Sequence, residues 1–183
     1  MDQGLIPRRY AKALYEVGDK RHDNEKLYGL MQSLADAFVA QPALSATLAN
    51  PFVADSDKTS LLLHAVYGAD IDAADTTYVD FVKLLEQNKR VDLARAIAIA
   101  FIDLYRKEHS IYCVRVTSAA PMGAAEKARL EKIVGEHIGN GTMEYQYSVD
   151  PSLIGGFTVT VNSERLDASV SNELKRLRLS LIN

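Results

Sequence analysis

The sequence has very little of the chemistry that most catalytic and metal sites require. Its 183 residues contain one cysteine, Cys113, and no tryptophan. A single cysteine excludes an internal disulfide, a cysteine zinc cluster and a redox pair, and it is typical of a protein in a reducing cytoplasm. Because no histidine stands beside Cys113 in the sequence, we predict a packed thiol rather than a nucleophile.

Long apolar runs are also missing. No stretch approaches the roughly 18 apolar residues that a membrane-spanning helix needs. The longest candidate, residues 93–104, is interrupted by Arg95 and Asp103, and the first residues lack the pattern of a signal peptide. If the protein works at a membrane, we therefore expect another molecule to hold it there.

An excess of basic residues is the third absence. The net charge is -3, residues 1–109 carry 13 basic and 16 acidic side chains, and residues 110–183 carry eight of each. Nucleic-acid binding normally needs a basic face. The charge thus argues against the alternative interpretation, a small RNA-binding or ribosome-associated protein, which compact α+β modules often are.

The titratable residues form no recognisable site. The histidines fall on separate predicted elements without metal-ligand spacing: His22, His64, His109 and His137. Clustered aspartates stand at predicted helix starts, where capping explains them: Asp55, Asp57, Asp70, Asp72 and Asp75. Gly155 and Gly156 lead into a strand, which favours a bend over a phosphate loop. We expect no catalytic residue, metal or cofactor, and an enzyme of unknown type stays open as an alternative.

The first 109 residues show helical periodicity throughout. Six helices are predicted, and the sixth is apolar nearly all round, which is typical of a helix at the centre of a bundle. The predicted starts are Pro7, Asp23 or Asn24, Pro42, Asp55, Asp75 or Thr76, and the residues after the turn at 87–90.

From Ser110 onward the period changes to two. Strands are predicted at 111–117, 143–149, 157–161 and 165–168, with helices at 124–138 and after Ser171, the last bearing Leu174, Leu177 and Leu181. The predicted fold class is therefore α+β. An N-terminal all-α six-helix bundle, residues 1–109, precedes a small α+β domain, residues 110–183, with a short mixed sheet and two helices.

The first and fifth helices carry more apolar surface than one core-facing stripe requires. In the first helix one apolar face comprises Tyr10, Ala13, Leu14 and Val17, with Ala11, Tyr15 and Gly18 beyond it. In the fifth, Tyr78, Phe81, Val82 and Leu85 can face inward, which leaves Val79 and Leu84. Periodicity leaves two interpretations open: all of these residues are core, or some line a groove for an amphipathic helix of a partner.

Three segments resemble a known family. Residues 9–15 read Arg-Tyr-Ala-Lys-Ala-Leu-Tyr, residues 84–91 read Leu-Leu-Glu-Gln-Asn-Lys-Arg-Val, and residues 150–157 read Asp-Pro-Ser-Leu-Ile-Gly-Gly-Phe. In this order, over essentially the whole chain, they resemble the δ subunit of bacterial F-type ATP synthase, the relative of the mitochondrial oligomycin-sensitivity-conferring protein. The third segment is the most specific of the three.

The resemblance implies a non-catalytic stator subunit that links the peripheral stalk to the catalytic α/β head and resists rotor torque during proton-driven ATP synthesis. It implies one copy per complex, a monomer on its own, at the cytoplasmic face of the bacterial inner membrane and held there peripherally through the complex. The first domain would bind N-terminal helices of the α subunits, and the second would bind the b-type stalk subunits.

The resemblance also implies two sets of partner-binding residues. The groove for an α-subunit helix would be lined by Tyr10, Ala13, Leu14, Phe81, Leu84 and Asn88. The stalk contact would use Leu153, Ile154, Gly155, Gly156, Phe157, Leu174 and Leu177.

Overall fold

The computed structural model describes residues 4–68, 74–139, 141–153, 155–161 and 164–169. The chain divides into two compact units, Met1–Tyr105 and Arg106–Asn183. The predicted domains, 1–109 and 110–183, stay a prediction as functional divisions.

Six α-helices lie in the described residues before the first strand. Their bounds are α1 Leu5–Arg21, α2 Asn24–Ala40, α3 Ala43–Ala49, α4 Asp55–Tyr67, α5 Thr76–Gln87 and α6 Ala94–Glu108, with a 3₁₀ turn at Val91–Leu93. The elements that follow are β1 Ile111–Ser118, α7 Ala124–Ile138, β2 Thr142–Val149, β3 Gly156–Val161 and β4 Glu164–Ser169. The α+β class is confirmed. The predicted final helix, with Leu174, Leu177 and Leu181, lies outside the described residues.

Helix α6 supplies much of the core of the first unit. Ile97, Ala98 and Phe101 are completely buried, and the rings of Tyr28 and Tyr105 stack with centroids 4.3 Å apart. The prediction that α6 lies at the centre of the bundle is wrong for its opposite face, which is exposed and includes Ile99 at 44% exposure.

Helix α1 buries a different face from the one predicted. Its buried residues are Pro7, Ala11, Leu14 and Gly18, so Ala11 and Gly18 belong to the core. A Cβ at Gly18 would lie 2.7 Å from Leu27 Cδ1 of α2 and closer still to the Asn24 side chain. The missing side chain lets α2 pack against this face. The other apolar positions of α1 therefore point away from α2.

The aspartates at the helix starts play different roles. Of the two caps predicted for α5, Asp75 and Thr76, the structure has Asp75, whose side chain accepts hydrogen bonds from the backbone N–H groups of Thr77 and Tyr78. The predicted cap at Asp55 is wrong. Ala54 has the extended backbone of the N-cap position, and Asp55 is the first helical residue, where its charge favours the helix dipole.

The second unit is a mixed four-stranded sheet in the order β2-β1-β3-β4. Strand β1 pairs in parallel with β2, through the crossover helix α7, and antiparallel with β3. The buried core joins the inner face of the sheet to α7 and comprises Val114, Val116, Leu130, Val134 and Val159. The predicted alternation is confirmed for the apolar positions of β2 and β3 that pack on this core, namely Met143, Tyr145, Tyr147, Phe157 and Val161. It fails at the end of β2, where Val149 is 48% exposed.

Candidate functional site

A groove of about 280 Å³ lies between α1 and α5 in the first unit. Buried Leu14 and Phe81 contribute its floor, while Ala13 is exposed beside them. Val17 is 40% exposed and Leu84 is 45% exposed. Scattered single apolar residues on a surface are ordinary, but a concave group on two helices indicates a binding surface. The full lining is Tyr10, Ala13, Leu14, Val17, Arg21, Thr77, Asp80, Phe81 and Leu84.

The structure brings together five of the six residues predicted for this groove, namely Tyr10, Ala13, Leu14, Phe81 and Leu84. Asn88 is not among the lining residues. It is the C-cap residue that follows α5, and its side-chain amide donates a hydrogen bond of 2.9 Å to the carbonyl oxygen of Leu84. That a helix binds in the groove stays a prediction.

The groove stays open because each helix already buries a different face. In α5 the buried face includes Tyr78, Val82 and Leu85. In α1 it includes Ala11 and Gly18. Leu14 and Phe81 belong both to this core and to the floor of the groove, whereas Ala13, Val17 and Leu84 remain exposed on its walls. Of the two interpretations that periodicity left open, the groove is the one that these burials favour.

One end of the groove is polar. Arg21 Nη1 donates a hydrogen bond of 3.0 Å to Thr77 Oγ1 and lies 3.5 Å from Asp80 Oδ2. The sequence-based prediction missed these three residues, although their spacing was a usable signal. Arg21 continues the helical stripe of Leu14 and Val17, and Thr77 and Asp80 continue that of Leu84 toward the start of α5.

Asp75 fixes the start of α5 and so the position of one wall of the groove. Besides capping Thr77 and Tyr78, it forms an ion pair of 2.8 Å with Lys26 of α2, and its backbone N–H donates to the hydroxyl of Tyr67 in α4. Burial disfavours the charged carboxylate. The hydrogen bonds from Lys26 and the two backbone groups outweigh burial, and they hold the pKa of the Asp75 carboxyl below its ordinary value.

We expect Asp75→Asn to lower the free energy of unfolding by about 1–2 kcal/mol at neutral pH, since it removes a charge-assisted hydrogen bond. The pKa of the Asp75 carboxyl is lower in the folded state than in the unfolded state, where it is about 3.9. The contribution of the charged carboxylate to the free energy of unfolding is therefore complete above pH of about 3.9, and it is lost as the pH falls through the folded-state pKa. Urea denaturation of both proteins over a pH series measures the difference. Asp57→Asn, at an exposed position in the first turn of α4, removes the same charge and serves as control. If the difference in unfolding free energy between wild type and Asp75→Asn stayed constant at acid pH, the stabilising role of the charged Asp75 carboxylate would be contradicted.

Four of the seven residues predicted to contact a stalk are described, and they lie in the turn before β3 and at the start of that strand. Leu153 and Gly155 are half-buried, and the turn is closed by the Ser152 N–H, which donates to Asp150 Oδ1 at 2.9 Å. Gly156 has φ of 79°, a left-handed conformation that suits glycine, so the predicted bend is present. The side chain of Phe157 packs on the core of the sheet. Ile154, Leu174 and Leu177 lie outside the described residues.

The described part of the chain offers no alternative site with obvious chemistry. Among these residues, no three His, Cys, Asp or Glu side chains form a group that could hold a metal ion. His64 Nδ1 lies 2.8 Å from the carbonyl oxygen of Ser60 on its own helix, and Cys113 is half-buried in β1. None of the described helices combines the length and apolarity needed to span a membrane.

Comparison with known proteins identifies related sequences of a single family. The family model for the ATP synthase delta (OSCP) subunit matches residues 6–181. A protein of Parabacteroides distasonis, ATP synthase subunit delta, is 36% identical over 182 residues, which is 100% of this chain and 98% of that protein. The protein of the same name from Bacteroides thetaiotaomicron is 32% identical over 183 residues, or 100% of this chain and 97% of that protein.

A solved structure shares the fold. A chain of the Toxoplasma gondii mitochondrial ATP synthase superposes with a TM-score of 0.74 and 23% identity, and the match covers 98% of both chains.

Proposed function

The chain belongs to the ATP synthase delta (OSCP) subunit family, and from this premise we propose that its groove between α1 and α5 binds an N-terminal amphipathic helix of an α subunit. As a member of this family, the chain is a stator component of F-type ATP synthase, and it is a structural subunit rather than a catalytic one. We propose further that α1 to α6 act as one six-helix bundle that caps the catalytic head.

The observation that carries the groove proposal is the concave apolar surface on two adjacent helices. Its floor is Leu14 and Phe81, and its exposed wall residues include Ala13 and Leu84. Small Ala13 allows the backbone of a bound helix to approach closely, and Tyr10 offers an aromatic ring with a hydroxyl for the rim. An amphipathic helix with apolar residues at i, i+3, i+4 and i+7 is the complementary shape.

The mechanical role favours this kind of contact. Rotation of the central stalk applies torque to the head, and the joint that holds the head must not open as ionic conditions change. Exposed ion pairs are screened by salt and contribute little. Burial of apolar side chains is insensitive to moderate salt, so a helix seated in an apolar groove is suited to a permanent joint.

We propose that the second unit binds the b-type subunits of the peripheral stalk. The described part of the predicted contact comprises Leu153 and Gly155 in the turn and Gly156 and Phe157 at the start of β3. The bacterial relatives are named as subunits of an ATP synthase. We place this chain at the cytoplasmic face of the bacterial plasma membrane, where the other subunits hold it.

Titration calorimetry of the full chain with a peptide of the N-terminal helix of the cognate α subunit tests the groove proposal. We expect saturable one-to-one binding with a negative heat-capacity change, the signature of apolar burial, and little loss of affinity when salt is raised. Absence of binding by the folded chain would overturn the assignment of the groove.

A further inference from the structure

We propose that Arg21 is a specificity-determining residue of the groove, which receives a carboxylate of the bound helix and thereby fixes the direction and register in which that helix lies. This inference rests on the proposed function, because it assumes that a helix occupies the groove. It adds the chemistry that the partner must carry at one end.

At the polar end of the groove, the side chain of Arg21 is held in place by a buried residue of α5. Its Nη1 donates to Thr77 Oγ1 at 3.0 Å, and Thr77 is only 2% exposed, so the anchor belongs to the rigid start of α5. The side chain of Arg21 is nevertheless 45% exposed. The guanidinium is therefore positioned by the core but still accessible to a ligand.

The resting partner of Arg21 is weak and exchangeable. Asp80 Oδ2 lies 3.5 Å from Arg21 Nη1, longer than the roughly 2.7–2.9 Å of a strong charge-assisted hydrogen bond, and the Asp80 side chain is 62% exposed. Exposed pairs of this kind contribute about 0–1 kcal/mol. A guanidinium has five donors in a planar fork, so a carboxylate brought by the partner can form the bidentate pair that Asp80 does not.

The spacing along α1 sets the pattern of the partner. Tyr10 and Val17 are separated by two helical turns, about 10 Å at 1.5 Å per residue, and Arg21 lies one further turn along. A helix lying against this surface places apolar residues over the first two turns. Its next inward-facing position meets Arg21. The best occupant is an amphipathic helix whose apolar stripe ends in an aspartate or glutamate.

The polar end also explains how direction is selected. An apolar stripe alone fits the groove in either direction, because burial of apolar area is not directional. A charged contact at one end removes this symmetry. In the reversed helix the carboxylate would lie among apolar side chains and could not pair with Arg21, which is unfavourable.

The test compares Arg21→Met and Asp80→Asn in the full chain, with the N-terminal helix peptide of the cognate α subunit as probe and calorimetric affinity as readout. We expect Arg21→Met to weaken binding about tenfold, as for loss of a charged hydrogen bond. We expect Asp80→Asn to strengthen binding about threefold, because it removes the competing carboxylate. If the Arg21–Asp80 pair merely braces the two helices, both variants weaken binding, and the proposal is overturned.

Peptide variants identify the carboxylate. Each Asp and Glu of the peptide is replaced in turn by its amide. We expect the replacement at one position only to weaken binding to the unaltered chain, and we expect that same replacement to leave binding to the Arg21→Met variant unchanged. Thermal unfolding of the two protein variants checks that both are folded. Binding that is unaffected by Arg21→Met overturns this inference and leaves the groove proposal standing. Failure of the unaltered chain to bind the peptide overturns both.

Discussion

The substitution Ala13→Asp is expected to reduce the affinity of the chain for the α-subunit helix by about a hundredfold, a change of roughly 2.8 kcal/mol. Ala13 is exposed in the free protein, so the new carboxylate is hydrated until the partner helix covers it. Binding then removes that hydration among Leu14, Phe81 and Leu84, while Arg21, the cation that lines the groove, lies about two helical turns further along α1. Titration calorimetry with the wild-type peptide measures the loss.

A matched control separates this effect from damage to the helix. Ala96 is an exposed residue of α6 that does not line the groove, so Ala96→Asp makes the same substitution at a helical site away from the groove. Each variant should lower stability by only a few tenths of a kcal/mol to about 1 kcal/mol through helix propensity. If Ala13→Asp unfolds while Ala96→Asp does not, Ala13 belongs to the core. If both bind the peptide like wild type, the partner does not use this groove.

The substitution Tyr78→Ala is expected to lower the free energy of unfolding of the first unit by about 3–5 kcal/mol. Tyr78 is completely buried on the inner face of α5. Its hydroxyl donates a hydrogen bond of 3.2 Å to the carbonyl oxygen of Leu62, and its ring meets that of Tyr67 edge-on at 5.8 Å. Burial also raises the pKa of the Tyr78 hydroxyl, so the group stays a neutral donor. Urea denaturation followed by far-ultraviolet circular dichroism gives the free energy.

Tyr78→Phe is the control for this prediction. It keeps the ring and its contact with Tyr67 but removes the hydrogen bond to Leu62, so we expect a loss of about 1 kcal/mol. The two variants together separate packing from hydrogen bonding. A loss for Tyr78→Ala no larger than that for Tyr78→Phe would mean that the ring contributes little, which is incompatible with a closely packed core at this residue.

The two effects illustrate how one helix serves both stability and binding. Tyr78 and Leu85 of α5 are in the core, whereas Leu84 remains 45% exposed on the groove side. Because the inner face is anchored by buried packing and by the Asp75 cap, the outer face is held in place before a partner arrives. A preorganised surface of this kind loses little conformational entropy on binding, which strengthens a permanent joint.

Much of the fold was predictable from local pattern. The helix at 124–138 was predicted with its bounds, and the alternation of Met143, Tyr145 and Tyr147 correctly gave a strand with one face on the core. The cap at Asp75 and the bend at Gly156 also followed from residue chemistry. These features depend on backbone geometry and on the period of the sequence, which a single chain displays without its neighbours.

Other features required the tertiary arrangement. Periodicity places Tyr10, Ala13 and Leu14 near one another on α1, but it does not say which neighbouring helix covers them. At Gly18 the packing supplies the answer for one face of α1, because the missing side chain leaves room for Asn24 and Leu27 of α2.

By itself, then, the sequence determined the family, the α+β class, the order of the elements and five of the residues that line the groove. Only the tertiary structure decided which apolar residues are core and which remain exposed. It alone brought Arg21 to Asp80 and to Thr77, which lies 56 residues away along the chain. The physical reason is that burial and side-chain pairing are properties of the space between elements. Local propensity fixes each helix, and packing decides what each helix leaves uncovered.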